Sequence, residues 1–296
     1  MLRVACLLGL AAVLSFGQGT DYSKVEIKST KLSNNLYTLE GSGGMIGVVV
    51  GNDGVFMVDT QFAPLSDKII AAIKKVSNAP IKFVVNTHVH PDHTGGNENL
   101  AKTGATLLAR PQLRERLAHP APGANGQPGT PAPAGALPVL TYDSTITFHM
   151  NGEEIQAIPI RAAHTDGDTL VRFVNNDVIM TGDFYRSLGY PNIDRNNGGS
   201  IGGMLAGFDA ILKLTNADTK IVPGHGAVVD KNAVAAHKDI MVAVRDKLAA
   251  LVKDGKTLEE AIAAKLTADF DARVPGAAET STRFITQMYD EIKAGK

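Results

Sequence analysis

The chain has no tryptophan, a single cysteine, and few other aromatic residues, with ten Phe and six Tyr in 296 residues. One cysteine, Cys6, cannot build a disulfide framework or a cysteine-based zinc finger. Scarce aromatics leave the core to Val, Ile, Leu and Ala. Neither sign of charge is in excess, since 29 Lys and Arg face 30 Asp and Glu. That balance lacks the basic face with which a nucleic-acid binder neutralises phosphates. After the N-terminal stretch no segment stays apolar for the roughly 20 residues that a membrane helix needs. The full chain is 44% apolar and 20% charged residues, an ordinary globular composition that excludes disordered, collagen-like and coiled-coil chains. The length allows one large domain or two small ones.

The first 17 residues read as a secretory signal peptide. Arg3 supplies a positive charge, Val4 to Phe16 is an uncharged apolar run, and Ser15 and Gly17 place small residues at −3 and −1 of a cut before Gln18. The run is too short to span a bilayer. The expected product is periplasmic or secreted, free of cysteine, and not membrane-bound once the leader is removed.

Residues 18–296 read as one domain, because no shift in composition marks a linker. Strands are expected at 36–39, 45–51, 54–59, 81–86 and 105–109, then at 144–150, 154–160, 169–174, 178–181 and 220–222. Asn52-Asp53-Gly54 and Asn151-Gly152 are hairpin turns, because Asn and Asp before Gly tolerate the positive φ that tight turns require. Ser66 caps a helix whose Ile69, Ile70, Ile73 and Val76 line one face. Residues 119–138 form a Pro/Gly/Ala loop without periodicity. The C-terminal part, 231–296, is helical over 232–254, 257–266 and about 278–293. Gly255 stops the first of these helices, and Thr257-Leu258-Glu259-Glu260 opens the second as a capping box. Two strand-then-helix halves imply a sheet-on-sheet core with helices outside.

The chemistry lies where strands end. Thr87-His88-Val89-His90-Pro91-Asp92-His93 packs three of the chain's eight histidines and an aspartate into six positions. Packing alone does not account for such a cluster, since each buried imidazole needs hydrogen-bond partners. In extended chain His88 and His90 point to the same side, while Asp92 and His93, beyond the proline, are free to face a second centre. His164 in AHTDGD, Asp183 in MTGD and His225 in VPGHG stand after later strands. Five His and two Asp supply ligands for two borderline metal ions. His119, His149 and His237 fit no such pattern and are expected on exposed loop, strand and helix positions.

An HxHxDH motif, a lone His, an Asp after a strand and a Pro-Gly-His together resemble the metallo-β-lactamase superfamily over roughly residues 33–230. The resemblance implies an α/β fold, the four-layer αβ/βα sandwich, with metals in a cleft along one edge of the sheets. It implies two zinc ions per chain. His88, His90 and His164 would hold one, Asp92, His93 and His225 the other, and Asp183 would bridge them. A flap at 41–47 would bring Met45 and Ile46 to the substrate. A second wall at 189–197 would offer Tyr190, Asn192, Arg195 and Asn197.

Two zinc ions sharing a hydroxide would attack an acyl carbon, with Asp92 aiming the nucleophile. The substrate is a small molecule. A β-lactam is the first expectation, given the leader and the short chain. An aspartate at position 183, where the best-known zinc β-lactamases have cysteine, instead resembles lactonases and glyoxalase II thioesterases. Two readings of another class are a mononuclear iron oxidase of sulfur compounds and a non-catalytic metal-binding protein. No sequence signal sets the oligomeric state.

Overall fold

The computed structural model describes residues 20–122 and 126–295. The leader expected over residues 1–17 lies outside them. Twelve strands are described: β1 Lys28–Lys31, β2 Leu36–Glu40, β3 Ile46–Val49, β4 Val55–Val58, β5 Ile81–Val85, β6 Thr106–Ala109, β7 Leu140–Thr141, β8 Ile146–Met150, β9 Glu153–Pro159, β10 Thr169–Phe173, β11 Val178–Met180 and β12 Lys220–Val222. The α-helices are α1 Ser66–Lys74, α2 Pro91–Thr94, α3 Asn97–Lys102, α4 Pro111–Ala118, α5 Ile201–Leu214, α6 Lys231–Lys253, α7 Leu258–Ala263 and α8 Ala277–Lys293.

The strands form two sheets. One runs β1 to β7 in chain order, and the other runs β12-β11-β10-β9-β8. Hairpins join β3 to β4 and β8 to β9 at the expected turns, where Gly54, Asn151 and Gly152 all have positive φ. From β4 to β7 the pairing is parallel, so β4 and β5 end on the same edge. In the second sheet β9 and β11 both run antiparallel to β10, and β12 runs parallel to β11. Thus β9, β11 and β12 also end on one common edge.

Between the sheets lies a layer of Val49, Phe56, Val85, Ile155, Phe173 and Met180 with their neighbours. β3 and β4 are buried along their whole length, because the first sheet is covered on its other face by α1 and α3, with Ile69, Ile73 and Leu100 in that contact. The second sheet carries α5, α6 and α8 through Phe208, Met241, Val244, Leu248 and Phe284. This is the expected helix–sheet–sheet–helix sandwich.

Local signals held where they were local. Gly255 has φ 75° and ends α6, and Thr257 and Glu260 form the reciprocal capping box of α7. Ser66 opens α1 but does not cap it, since Leu65 occupies that place. α2, α3, α4 and α5, with the short strands β1 and β7, are additions to the expected elements. In α5, Gly202, Gly203 and Gly207 dilute the helical signal. Two of them are small because neighbours crowd them: a Cβ at Gly203 would overlap the Ala162 carbonyl, and one at Gly207 would press on the Phe184 ring, whereas Gly202 faces open space. His237 is a correction. Rather than an exposed helix residue it is buried between Tyr185 and Phe208, because α6 packs on α5 and turns that position onto Phe208.

Candidate metal centre

Each expected ligand stands just past a strand end on the common edges. His88 and His90 follow β5, and Pro91 starts α2, the position where its missing N–H costs nothing. Asp92 and His93 therefore fall in the first turn of α2, rotated away from His90. His164 follows β9, Asp183 follows β11, and His225 follows β12.

All seven side chains converge. His88, His90 and His164 each bring a ring nitrogen within 4.8 Å of one another, and so do His88, His93 and Asp183, and Asp92, His93 and His225, counting one ligand atom from each residue. Asp183 stands between the outer groups. Its Oδ2 lies 3.9 Å from His164 Nε2, and its Oδ1 lies 3.2 Å from His93 Nε2 and 3.3 Å from His225 Nε2. Asp92 Oδ2 is 3.1 Å from His225 Nε2 and 3.6 Å from His93 Nε2. Donors on a tetrahedron of radius about 2.0–2.1 Å sit about 3.3–3.4 Å apart, so these spacings suit one metal in each outer group. Three of the atoms, His88 Nε2, His93 Nε2 and Asp183 Oδ1, are buried and make no hydrogen bond. Orphaned buried donors and acceptors are costly, and a cation among them satisfies all three at once. The residues fit metal ions.

A second layer fixes the rings. His93 Nδ1–H donates to Asp59 Oδ2 at 2.7 Å, and Asp59 also accepts from the Thr87 N–H and hydroxyl, both at 2.7 Å. His90 Nε2–H donates to Asp194 Oδ2 at 2.7 Å, which leaves Nδ1 facing His164 Nε2 at 2.9 Å. His164 Nδ1–H donates to the Asn192 carbonyl at 2.6 Å. Such partners set tautomer and ring orientation. Burial, with the charges of His93 and His164, holds His88 well below the ordinary imidazole range. Burial pushes His164 down to about 4, so both are neutral and ligand-ready. Burial also opposes charge on His93, but the Asp59 and Asp183 carboxylates outweigh it and raise the ring well above that range. Asp183 is held well below the carboxylate range because His93 and His225 outweigh its burial.

The open side is formed by His90, Asp92 and His225, each with 23% of its side chain exposed, whereas His93 and His164 are fully covered. From His90 a cleft of about 300 Å³ runs along Val89, Pro91, Arg116, Leu117, Pro120 and Asn197. Part of the Pro/Gly/Ala loop thus walls the site.

The expected substrate contacts are redistributed. Ile46 is fully buried within β3, packed in the core beneath α1. Met45 is half-buried against the layer between the sheets, and its N–H donates to the Gly224 carbonyl. The 41–47 segment is therefore packed onto the site rather than raised over it. Tyr190 is fully buried, stacked on Phe284 and hydrogen-bonded to Asp271, which leaves its side chain no surface for a substrate. The Asn192 side chain is held by Gln287 and Arg195 pairs with Glu291. Asn197 alone of the four lines the cleft, with its amide donating to Asp194. Sequence reasoning missed Asp59 and Asp194. Asp59 is the residue just past the end of β4, at a positive φ of 62°, and an aspartate at a strand end was the available signal.

The family model of the metallo-beta-lactamase superfamily matches residues 39–225. A hydroxyacylglutathione hydrolase from Polaromonas sp. is 30% identical over 166 residues, which is 55% of each chain, so the chain spans about half the length of the curated relatives it matches. Among solved structures, a stereoselective inverting sec-alkylsulfatase from Pseudomonas sp. superposes with TM-score 0.69 at 16% identity, over 90% of this chain and 50% of that one. A metallo-beta-lactamase from Pontibacter korlensis superposes with TM-score 0.60 at 18% identity, over 73% of this chain and 99% of that one. At these identities the two structures speak for the fold alone.

Proposed function

The chain belongs to the metallo-beta-lactamase superfamily, and on that premise we propose that it is an exported two-zinc hydrolase of an acyl bond, with a β-lactam as the first substrate. One observation carries the metal reading: a buried carboxylate, Asp183, presents one oxygen to each of two ligand groups. Imidazole and carboxylate donors without sulfur suit zinc, and iron or manganese by the same chemistry. Zinc in such a site supplies an acidified water and an electrophile for the carbonyl oxygen.

The chain's own residues do the rest. Asp59, Asp194 and the Asn192 carbonyl take the N–H of one nitrogen on His93, His90 and His164, so the other nitrogen of each is the one turned to the centre, where a metal would displace any proton it holds. Asp92, on the open side, accepts a hydrogen bond from the attacking water and aims it along the cleft. Arg186 and Arg283 each hold a buried Nε–H without a partner. Burial and the charge of Arg186 lower the pKa of Arg283, against the pull of Asp183.

A second reading is a thioester or lactone, favoured by Asp183 and by the similarity to a hydroxyacylglutathione hydrolase. The test is a panel of nitrocefin, a carbapenem, an acyl lactone and a hydroxyacyl thioester on metal-analysed protein. Chelator-sensitive lactam cleavage supports the first reading, and thioester or lactone cleavage alone moves the function to the second. Oxygen uptake by an iron-loaded protein, or no turnover at two bound metals, refutes both.

A further inference from the structure

The C-terminal helix α8 carries a polar stripe, Thr280, Arg283, Gln287 and Glu291, spaced by three and four residues and so on one face. That stripe bonds both the backbone and the side chains of the segment after Gly189. Thr280 Oγ1 accepts the Tyr190 N–H at 2.8 Å, and Arg283 Nη2 donates to the Tyr190 carbonyl at 3.2 Å. Gln287 Oε1 accepts the Ile193 N–H at 2.9 Å, while its Nε2 donates to Asn192 Oδ1 at 2.7 Å. Glu291, 3% exposed, accepts from Arg195 Nη1 at 2.8 Å and from the Ile201 N–H at 2.9 Å. Phe284 lies stacked on Tyr190 with ring centroids 5.4 Å apart. The segment forms no strand of its own, so the helix satisfies polar groups that a sheet would otherwise pair.

The opposite side of the same segment holds the first ligand group. The Asn192 carbonyl takes the His164 ring N–H, Asp194 takes the His90 ring N–H, and the Asp194 N–H donates to the His164 carbonyl at 2.9 Å. Residues 190–195 are thus a plate between α8 and two imidazoles. We propose that α8 is the positioning element of the His88–His90–His164 site, with Gln287 acting through Asn192 and Ile193 and Glu291 through Arg195, the neighbour of Asp194, as positioning residues. The proposal rests on the reading that these three imidazoles hold a metal.

The test uses Gln287→Met, which keeps the length and loses both hydrogen bonds, and Gln287→Glu, which keeps the acceptor for the Ile193 N–H. Zinc and cobalt affinities of both sites are titrated on metal-free protein, and the ring N–H proton of His164 is followed by NMR. Gln287→Met should weaken one of the two metals by about tenfold, the low end for residues that support a ligand. It should also shift or broaden the His164 proton, and Gln287→Glu should restore part of both effects. Unchanged affinities and an unmoved His164 proton, with only a lower melting temperature, would reduce α8 to ordinary packing and overturn the proposal. Should Gln287→Met not fold, Gln287→Glu carries the same two readouts against wild type. A His88→Ala control separates the two ideas. If it leaves the metal content of otherwise native protein unchanged, the metal reading itself fails. If it loses a metal while both Gln287 variants behave as wild type, only the role of α8 fails.

Discussion

Asp92 sits at the mouth of the ligand cluster, and its charge and its shape can be separated by one substitution. Asn at this position keeps a metal-binding oxygen but loses the negative charge and most of the acceptor strength. Asp92→Asn should fold normally and keep at least the metal at His88, His90 and His164, while turnover falls by roughly 10²–10⁴-fold, the usual scale for an aimed acid–base group. Near-full activity with two metals bound would show that Asp92 does not aim the nucleophile. His237 makes a different kind of prediction. Burial alone pushes its ring down to about 4, with Tyr185 and Phe208 against it and Nε2 unpartnered. The unfolded chain takes up this proton near pH 6.5 and the folded chain does not. Stability should therefore fall as pH drops from about 6.5 to about 4, by on the order of 3 kcal/mol from this residue. His237→Phe should flatten that part of the denaturation profile, and an unaltered pH slope would refute the assignment.

At the scale of an element, the stretch 41–45 behaves as a wedge. The Gly44 N–H donates to the Asp92 carbonyl at 3.1 Å, and the Met45 N–H donates to the Gly224 carbonyl at 2.9 Å. Gln61 Nε2 donates to the Gly44 carbonyl at 2.7 Å. The wedge thus ties the α2 turn to the turn carrying His225, the two ends of the second ligand group. Gly44 is small because the His93 ring occupies the space of a side chain, and a Cβ there would overlap it. Gly44→Ala should push His93 off its position, weaken one metal while the His88–His90–His164 site persists, and cost about 1–3 kcal/mol of stability as overpacking does. Metal stoichiometry and denaturant unfolding measure the two effects, and two metals at native affinity would refute the first.

For the whole molecule, the sandwich brings the β4 and β5 ends of one sheet and the β9, β11 and β12 ends of the other to one site, so the cleft depends on both sheets packing through the layer that includes Phe56, Val85, Phe173 and Met180. Among the described residues no helix is long and apolar enough to cross a membrane. Export is proposed from the charged, apolar and small-residue pattern of residues 1–17. Mass spectrometry of the protein from a periplasmic or culture fraction should find an N-terminus near Gln18, and a chain in that fraction still beginning at Met1 would refute cleavage there.

Features set over a few residues were legible without coordinates. The histidine cluster after β5, the Asn52–Gly54 and Asn151–Gly152 turns, the Gly255 stop and the Thr257–Glu260 capping box all depend on spacings of one to six residues, which the chain's own geometry converts into direction. Candidate ligands at 164, 183 and 225 were legible as a set because each followed a readable strand. The tertiary structure alone decided who supports them. Asp59 reaches His93 across 34 residues and Asp194 reaches His90 across 104, and an aspartate in sequence carries no mark of which distant ring it will meet. The same holds for Ile46 and Tyr190. Alternation and family position say that a side chain stands near the site, but whether it faces the cleft or the core depends on the layer packed behind it, here α1 for Ile46 and α8 for Tyr190. Burial of His237 follows from the same cause, because only the docking of α6 against α5 and Tyr185 removes that ring from water.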